Sequence, residues 1–146
     1  MLTTKRILVT GANGMLGSGL CSLLHEEHIV LALHRDAVCY AQHTQELSAD
    51  LSDKRQVANA LKEVNPEVVI HCAGLVDVDY CETNNNLAHE SNVIATENIL
   101  SVCGDTAKFV YISTDQVYGE CGNRSESNEH LTPANVYGQT KYAAEQ

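Results

Sequence analysis

Three groups of residues have types and spacings suited to chemistry. Gly11, Gly14 and Gly17 stand three apart, directly after the apolar run 6–10. Ser113-Thr114-Asp115 closes another apolar run, and Tyr137 and Lys141 stand four apart near the end of the sequence. A strand that ends in a glycine turn and opens a helix offers unpaired N–H groups and the positive end of a helix dipole. That suits a pyrophosphate. Gly11 then makes the turn, Gly14 lets the backbone approach a phosphate, and Gly17 lets the helix pack closely on the strand. An ordinary strand–helix turn is the competing reading.

The Tyr–Lys spacing puts both side chains on one face of a helix. A phenol with a pKa of about 10 is a poor acid–base group at neutral pH, and a neighbouring cation lowers that pKa. The pair is therefore suited to passing a proton to a carbonyl under reduction, although a tyrosine and a lysine on a surface helix also satisfy the pattern. Ser113 or Thr114 can hydrogen-bond a substrate oxygen at the C-terminal end of a strand. Equally, such hydroxyls can bond their own turn.

These groups must be positioned by strands and helices, and the sequence alternates the two. Strands are expected over 6–10, 29–33, 67–73 and 108–113, with a short one around Leu47 inside the less regular stretch 36–48. Helices are expected over 14–26, from Ser52-Asp53 to Asn65-Pro66, over 85–103 with Gly104 as the stop, and from Tyr137 onward. Residues 77–83 read as a polar turn and 120–132 as a long loop. The strands are mostly unbroken apolar runs, as expected when both sheet faces are covered. The fold class is α/β: a Rossmann-type doubly wound parallel sheet filling one NAD(P)-binding domain over 1–146. Residues 141–146 favour helix and carry no stop signal. The expectation is therefore the N-terminal part of a longer protein.

The composition narrows the function classes. The chain has 146 residues, 44% of them hydrophobic, enough for one globular core. Its 19 acidic and 9 basic residues give a net charge of -10, which disfavours nucleic acid or an anionic membrane as a partner. No apolar run is long enough to span a bilayer. The six cysteines include no CxxC and no secretory segment precedes them, so reduced thiols and a cytoplasmic setting are expected. The seven histidines form no HxxxH or HExxH pattern, so no metal site is expected, and His25 and His28 read as surface residues.

The motifs TGxxGxxG, S-T-D-x-V-Y-G and YxxxK occur in the order seen in extended short-chain dehydrogenases/reductases, which the chain resembles over essentially its whole length. HCAGLVDVDYCE (71–82) and NVIATEN (92–98) are most similar to the dTDP-4-dehydrorhamnose reductase-like nucleotide-sugar reductases. The resemblance implies Tyr137 as catalytic acid. Lys141 would hold the nicotinamide ribose and lower the tyrosine pKa, and Thr114 would hold the substrate carbonyl. It implies a cofactor cradle of Gly11, Asn13, Gly14, Met15 and Gly17, with His34 and Arg35 at the end of strand two. Asp50 and Leu51 would lie at the adenine, Ala73 and Gly74 along the cofactor, and Asn92 would be a structural helix residue. The implied reaction is NAD(P)H-dependent reduction of the C4 keto group of a nucleotide-linked deoxysugar, by a possible homodimer. Arg35 favours NADP(H) over NAD(H), while Asp36 one step later leaves NADH open. Gln116 stands where related dehydratases carry an acid, and an amide cannot titrate. An epimerase or dehydratase of the same superfamily and a non-catalytic regulatory subunit remain the alternatives.

Overall fold

The computed structural model describes residues 3–35, 44–104, 107–119 and 131–146. Asp36, Cys39, Cys121 and most of the expected loop 120–132 lie outside the described residues. Five strands form one parallel sheet: β1 (Arg6–Thr10), β2 (Ile29–His34), β3 (Gln45–Ser48), β4 (Val68–His71) and β5 (Lys108–Tyr111). Their order is β3-β2-β1-β4-β5. This is the Rossmann-type sheet expected from the alternating pattern, with the order reversing between β1 and β4.

The apolar strands fill two cores. Leu8, Leu31, Leu33 and Val69 meet Val57, Leu61 and Ile99 on one face. Ile7, Val9, Val30 and Ala32 meet Cys21 on the other. Cys21 belongs to α1 (Met15–Leu24), Val57 and Leu61 to α2 (Lys54–Leu61). Asp53 caps α2, its carboxylate accepting from the backbone N–H of Arg55 at 2.9 Å.

Two expectations are corrected. Residues 77–83 are not a simple turn: Asp77 accepts from the N–H of Tyr80 at 2.9 Å and starts α3 (Val78–Thr83), which buries Cys81. The expected helix 85–103 is three pieces: α4 (Asn85–His89), a π-helical turn (Glu90–Ile94) and α5 (Ala95–Cys103). The wider turn lets Asn92 reach sideways to two other segments, as described below. A 3₁₀ turn (Asp115–Tyr118) follows β5, and α6 (Val136–Glu145) is capped by Asn135.

Candidate active site

The C-terminal ends of β1 and β4 meet at the point where the strand order reverses, which is where ligands bind in open parallel sheets. A cleft of about 460 Å³ lies there. Gly11 turns the chain out of β1 at φ +63°, a conformation that favours glycine. Its backbone lies so near β4 that an added Cβ would be 2.8 Å from the amide nitrogen of Ala73. Gly14 begins α1 with no side-chain cap, so the first N–H groups of the helix keep no side-chain partner there. Gly17 is buried against the turn.

Most of the cofactor residues expected from the sequence line this one cleft. Gly11, Asn13 and Gly14 form its floor, His34 and Arg35 one end, and Asp50 and Leu51 the wall beside them. Ala73 and Gly74 line it from the segment just after β4. Met15 and Gly17 do not line it: Met15 is 95% exposed at the start of α1. His34 is buried, neither of its ring nitrogens has a hydrogen-bond partner, and the Glu46 carboxylate stands 4.0 Å from its Nε2. Asp50 folds its carboxylate onto Ser52, accepting from the N–H at 2.9 Å and the hydroxyl at 2.8 Å. Leu87, Glu90, Ser91 and Ala95 also line the cleft and were not foreseen. Their spacing of three, one and four is a helical stripe, and that periodicity was the available signal.

Thr114, Tyr137 and Lys141 do not line the cleft: Thr114 follows β5, and Tyr137 and Lys141 lie on α6. Thr114 caps its own turn, accepting from Gln116 N–H at 3.3 Å and donating to Asp115 Oδ1 at 3.3 Å, and its hydroxyl stands near the Tyr137 phenol. Of the two readings of this stretch, the one in which its hydroxyls bond their own turn is seen at Thr114. Ser113 instead bonds Glu145. Lys141 is buried, and its Nζ donates to the Ile112 carbonyl at 2.7 Å and lies 4.0 Å over the Tyr111 ring. Burial draws the Lys141 pKa down to about 8. With the ammonium aimed there, the expected lowering of the Tyr137 pKa is not met. Burial pushes that phenol up, and the Thr114 contact only partly offsets it.

A buried chain of hydrogen bonds ties the cleft to α6. Thr96 gives its proton to the Asn92 carbonyl at 2.7 Å, so it accepts from His71 Nε2 at 3.2 Å. This fixes the ring proton on Nε2 and leaves Nδ1 to accept from Thr10, 2.8 Å away. Thr10 in turn accepts from the N–H of Ala73 at 3.2 Å. Asn92 brackets Leu75, accepting from its N–H at 2.7 Å and donating to its carbonyl at 3.0 Å, and donates to Thr140 of α6 at 2.9 Å. That is the structural role expected of it. His25 and His28 are half-buried rather than fully at the surface.

His71 makes a pH prediction. Burial, helped by the Lys141 charge, lowers its pKa from 6.5 to about 4. The unfolded chain takes up this proton below pH 6.5 and the folded chain resists it until about 4. Stability should therefore fall as pH drops through that window, by about 3 kcal/mol in all. Urea unfolding at a series of pH values should show this slope, and His71→Asn should flatten it; an equal slope in the variant assigns the effect elsewhere.

Residues 5–146 match the family model described as the RmlD substrate binding domain. The dTDP-4-dehydrorhamnose reductase of Streptomyces griseus is 36% identical over 96% of this chain and 43% of its own length. The crystal structure of the Bacillus anthracis dTDP-4-dehydrorhamnose reductase in complex with NADP is 33% identical, with a TM-score of 0.81 over 100% of this chain and 49% of that one. The UDP-glucose 4-epimerase of Thermus thermophilus in complex with NAD is 30% identical, with a TM-score of 0.85 over 96% of this chain and 48% of that one. The chain spans about half the length of these proteins or slightly less. Among the described residues no helix is long and apolar enough to cross a membrane, and no group of three or more His, Cys, Asp or Glu is placed to hold a metal.

Proposed function

The chain belongs to the RmlD substrate binding domain family, and on that footing we propose that it carries the cofactor site and proton donor of a nucleotide-sugar reductase. The observation that carries the reading is the cleft at the β1–β4 switch point, lined by the glycine turn at the uncapped start of α1, with Tyr137 and Lys141 together on α6. The glycine turn, the free helix N–H groups and the unpartnered His34 ring suit a dinucleotide's phosphates and ribose. A reduced nicotinamide, when bound, supplies the hydride. Tyr137 holds the proton that the reduced carbonyl oxygen takes up, Thr114 orients that hydroxyl, and Lys141 braces the end of β5 through Ile112. The substrate class we assign is a nucleotide-linked 4-keto deoxysugar. Cys21, Cys72, Cys81 and Cys103 are thiols rather than disulfides, which supports a reducing, cytoplasmic setting.

Net oxidation of NADPH by the protein carrying this chain, driven by a dTDP-4-keto-6-deoxy sugar, is the test. Turnover with cofactor retained and no net oxidation favours the epimerase reading, which the likeness to the Thermus fold supports. A stoichiometric enzyme partner with no keto-sugar turnover marks a regulatory subunit.

The NADP(H) preference rests on Arg35, exposed at the rim beside His34. A guanidinium paired with a 2′-phosphate is a charge-assisted contact of about 1.5–3 kcal/mol. Arg35→Ala is therefore expected to weaken NADPH binding about 10- to 100-fold and leave NADH within about twofold. Calorimetric titration of both cofactors decides it, and equal losses for the two remove Arg35 from this role.

A further inference from the structure

We propose that Gln116 is a positioning residue: its side-chain amide holds Asn135, the cap of α6, and thereby sets where Tyr137 stands relative to Thr114. The proposal rests on the reading of Tyr137 as proton donor. Gln116 lies in the 3₁₀ turn directly after β5, half-buried, and its Oε1 accepts from Asn135 Nδ2. Asn135 uses its other side-chain atom to accept from the Gly138 N–H at 2.7 Å, closing the first turn of α6. The backbones touch as well. A Cβ on Gly138 would lie 2.8 Å from the Gln116 carbonyl, so only a glycine permits this approach. From the opposite side, Glu82 accepts from the Val136 N–H at 2.6 Å.

Residues 135, 136 and 138 are thus each fixed, and Tyr137 is the residue between them. Gln116 N–H also donates to Thr114 Oγ1 at 3.3 Å. Thr114, Gln116 and Asn135 are therefore linked in series to the first turn of α6, which carries Tyr137. An amide suits this place. It accepts the Asn135 hydrogen bond as a carboxylate would, but brings no negative charge that would push the phenol further toward its neutral form. A misplacement of about 1 Å at a reacting group costs on the order of a hundredfold in rate.

The test compares Gln116→Met, which keeps the volume and removes the acceptor, with Gln116→Glu, which keeps the acceptor. Both are made in the whole protein that carries this chain. Gln116→Met is expected to lower kcat about 30-fold with cofactor Kd within about twofold and an unchanged melting temperature. Gln116→Glu is expected to recover kcat to within about fivefold of the parent. With ring-labelled tyrosine, the NMR signal assigned by Tyr137→Phe should shift, and its titration should move upward in Gln116→Met as the Thr114 contact loosens. Parental kcat with an unmoved Tyr137 signal overturns the proposal. So does a loss of rate matched by losses in cofactor binding and melting temperature, which marks a fold defect. If the parent protein reduces no keto sugar, the proposed function fails by itself, and the Tyr137 signal still decides the clasp.

Discussion

Turnover by a Tyr137→Phe variant is expected to fall about a thousandfold, with cofactor affinity and fold intact. The change removes one oxygen from a half-buried ring, so packing around α6 stays as it is. What it removes is the phenol hydroxyl that stands near Thr114. Nearby proton carriers are otherwise engaged: Lys141 donates to the Ile112 carbonyl and Ser113 is bonded to Glu145. About a thousandfold corresponds to roughly 4 kcal/mol of lost transition-state stabilisation. The pH dependence has a definite sign. Burial raises the Tyr137 pKa, so the phenol keeps its proton through neutral pH. Carbonyl reduction, which consumes that proton, should hold level from pH 6 to 8 and decline only at strongly alkaline pH, while the reverse oxidation should climb. Steady-state rates in both directions, with NADPH titrations and thermal melts beside them, check this. A variant that turns over at the parental rate removes Tyr137 from its role.

How far the site was legible in the sequence depended on how far apart its partners lie. The glycine loop was readable because the turn, the close approach and the helix start fall within seven consecutive residues. The doubly wound parallel sheet followed from alternating strands and helices with mostly unbroken apolar strand runs. The Asp53 cap was readable for the same local reason. The capping Asp77 was available too, but polar residues around it masked the short α3. What escaped depends on contacts between distant segments. Lys141 finds Ile112 across 29 residues, and His71 finds Thr10 across 61. A spacing of four places Tyr137 and Lys141 on one helix face, yet it does not say that the ammonium will turn to a carbonyl on β5. The π-helical turn is similar. Residues 85–103 have an unbroken helical pattern, and the wider turn carries Asn92, which bonds both Leu75 and Thr140 from distant segments. Gln116 was read by comparison with an acid. Its actual partner, Asn135, lies 19 residues away.

Gly17→Ala is expected to weaken nicotinamide-cofactor binding at least about a hundredfold and to cost about 3 kcal/mol of stability. The added Cβ would stand 2.2 Å from the Gly11 carbonyl oxygen, 2.8 Å from its carbon and 3.0 Å from the Ala12 Cα. All three are backbone atoms, so no side chain can swing aside. The turn cannot retreat either, because Gly11 already sits against Ala73 at the end of β4. The strain must move α1 outward, at the upper end of the ordinary cost of overpacking. Moving α1 takes its N–H groups away from the cleft floor, which is why binding suffers more than stability alone explains. Gly19 supplies the control within the same helix. A Cβ there meets nothing within 4 Å, so Gly19→Ala should stabilise the helix by up to about 1 kcal/mol and leave binding unchanged. Calorimetric titration with NADPH and urea unfolding of the two variants separate the effects. Parental affinity in Gly17→Ala would show that the start of α1 does not hold the phosphates. A loss of affinity in Gly19→Ala equal to that in Gly17→Ala would trace the effect to α1 as a whole rather than to its contact with the turn.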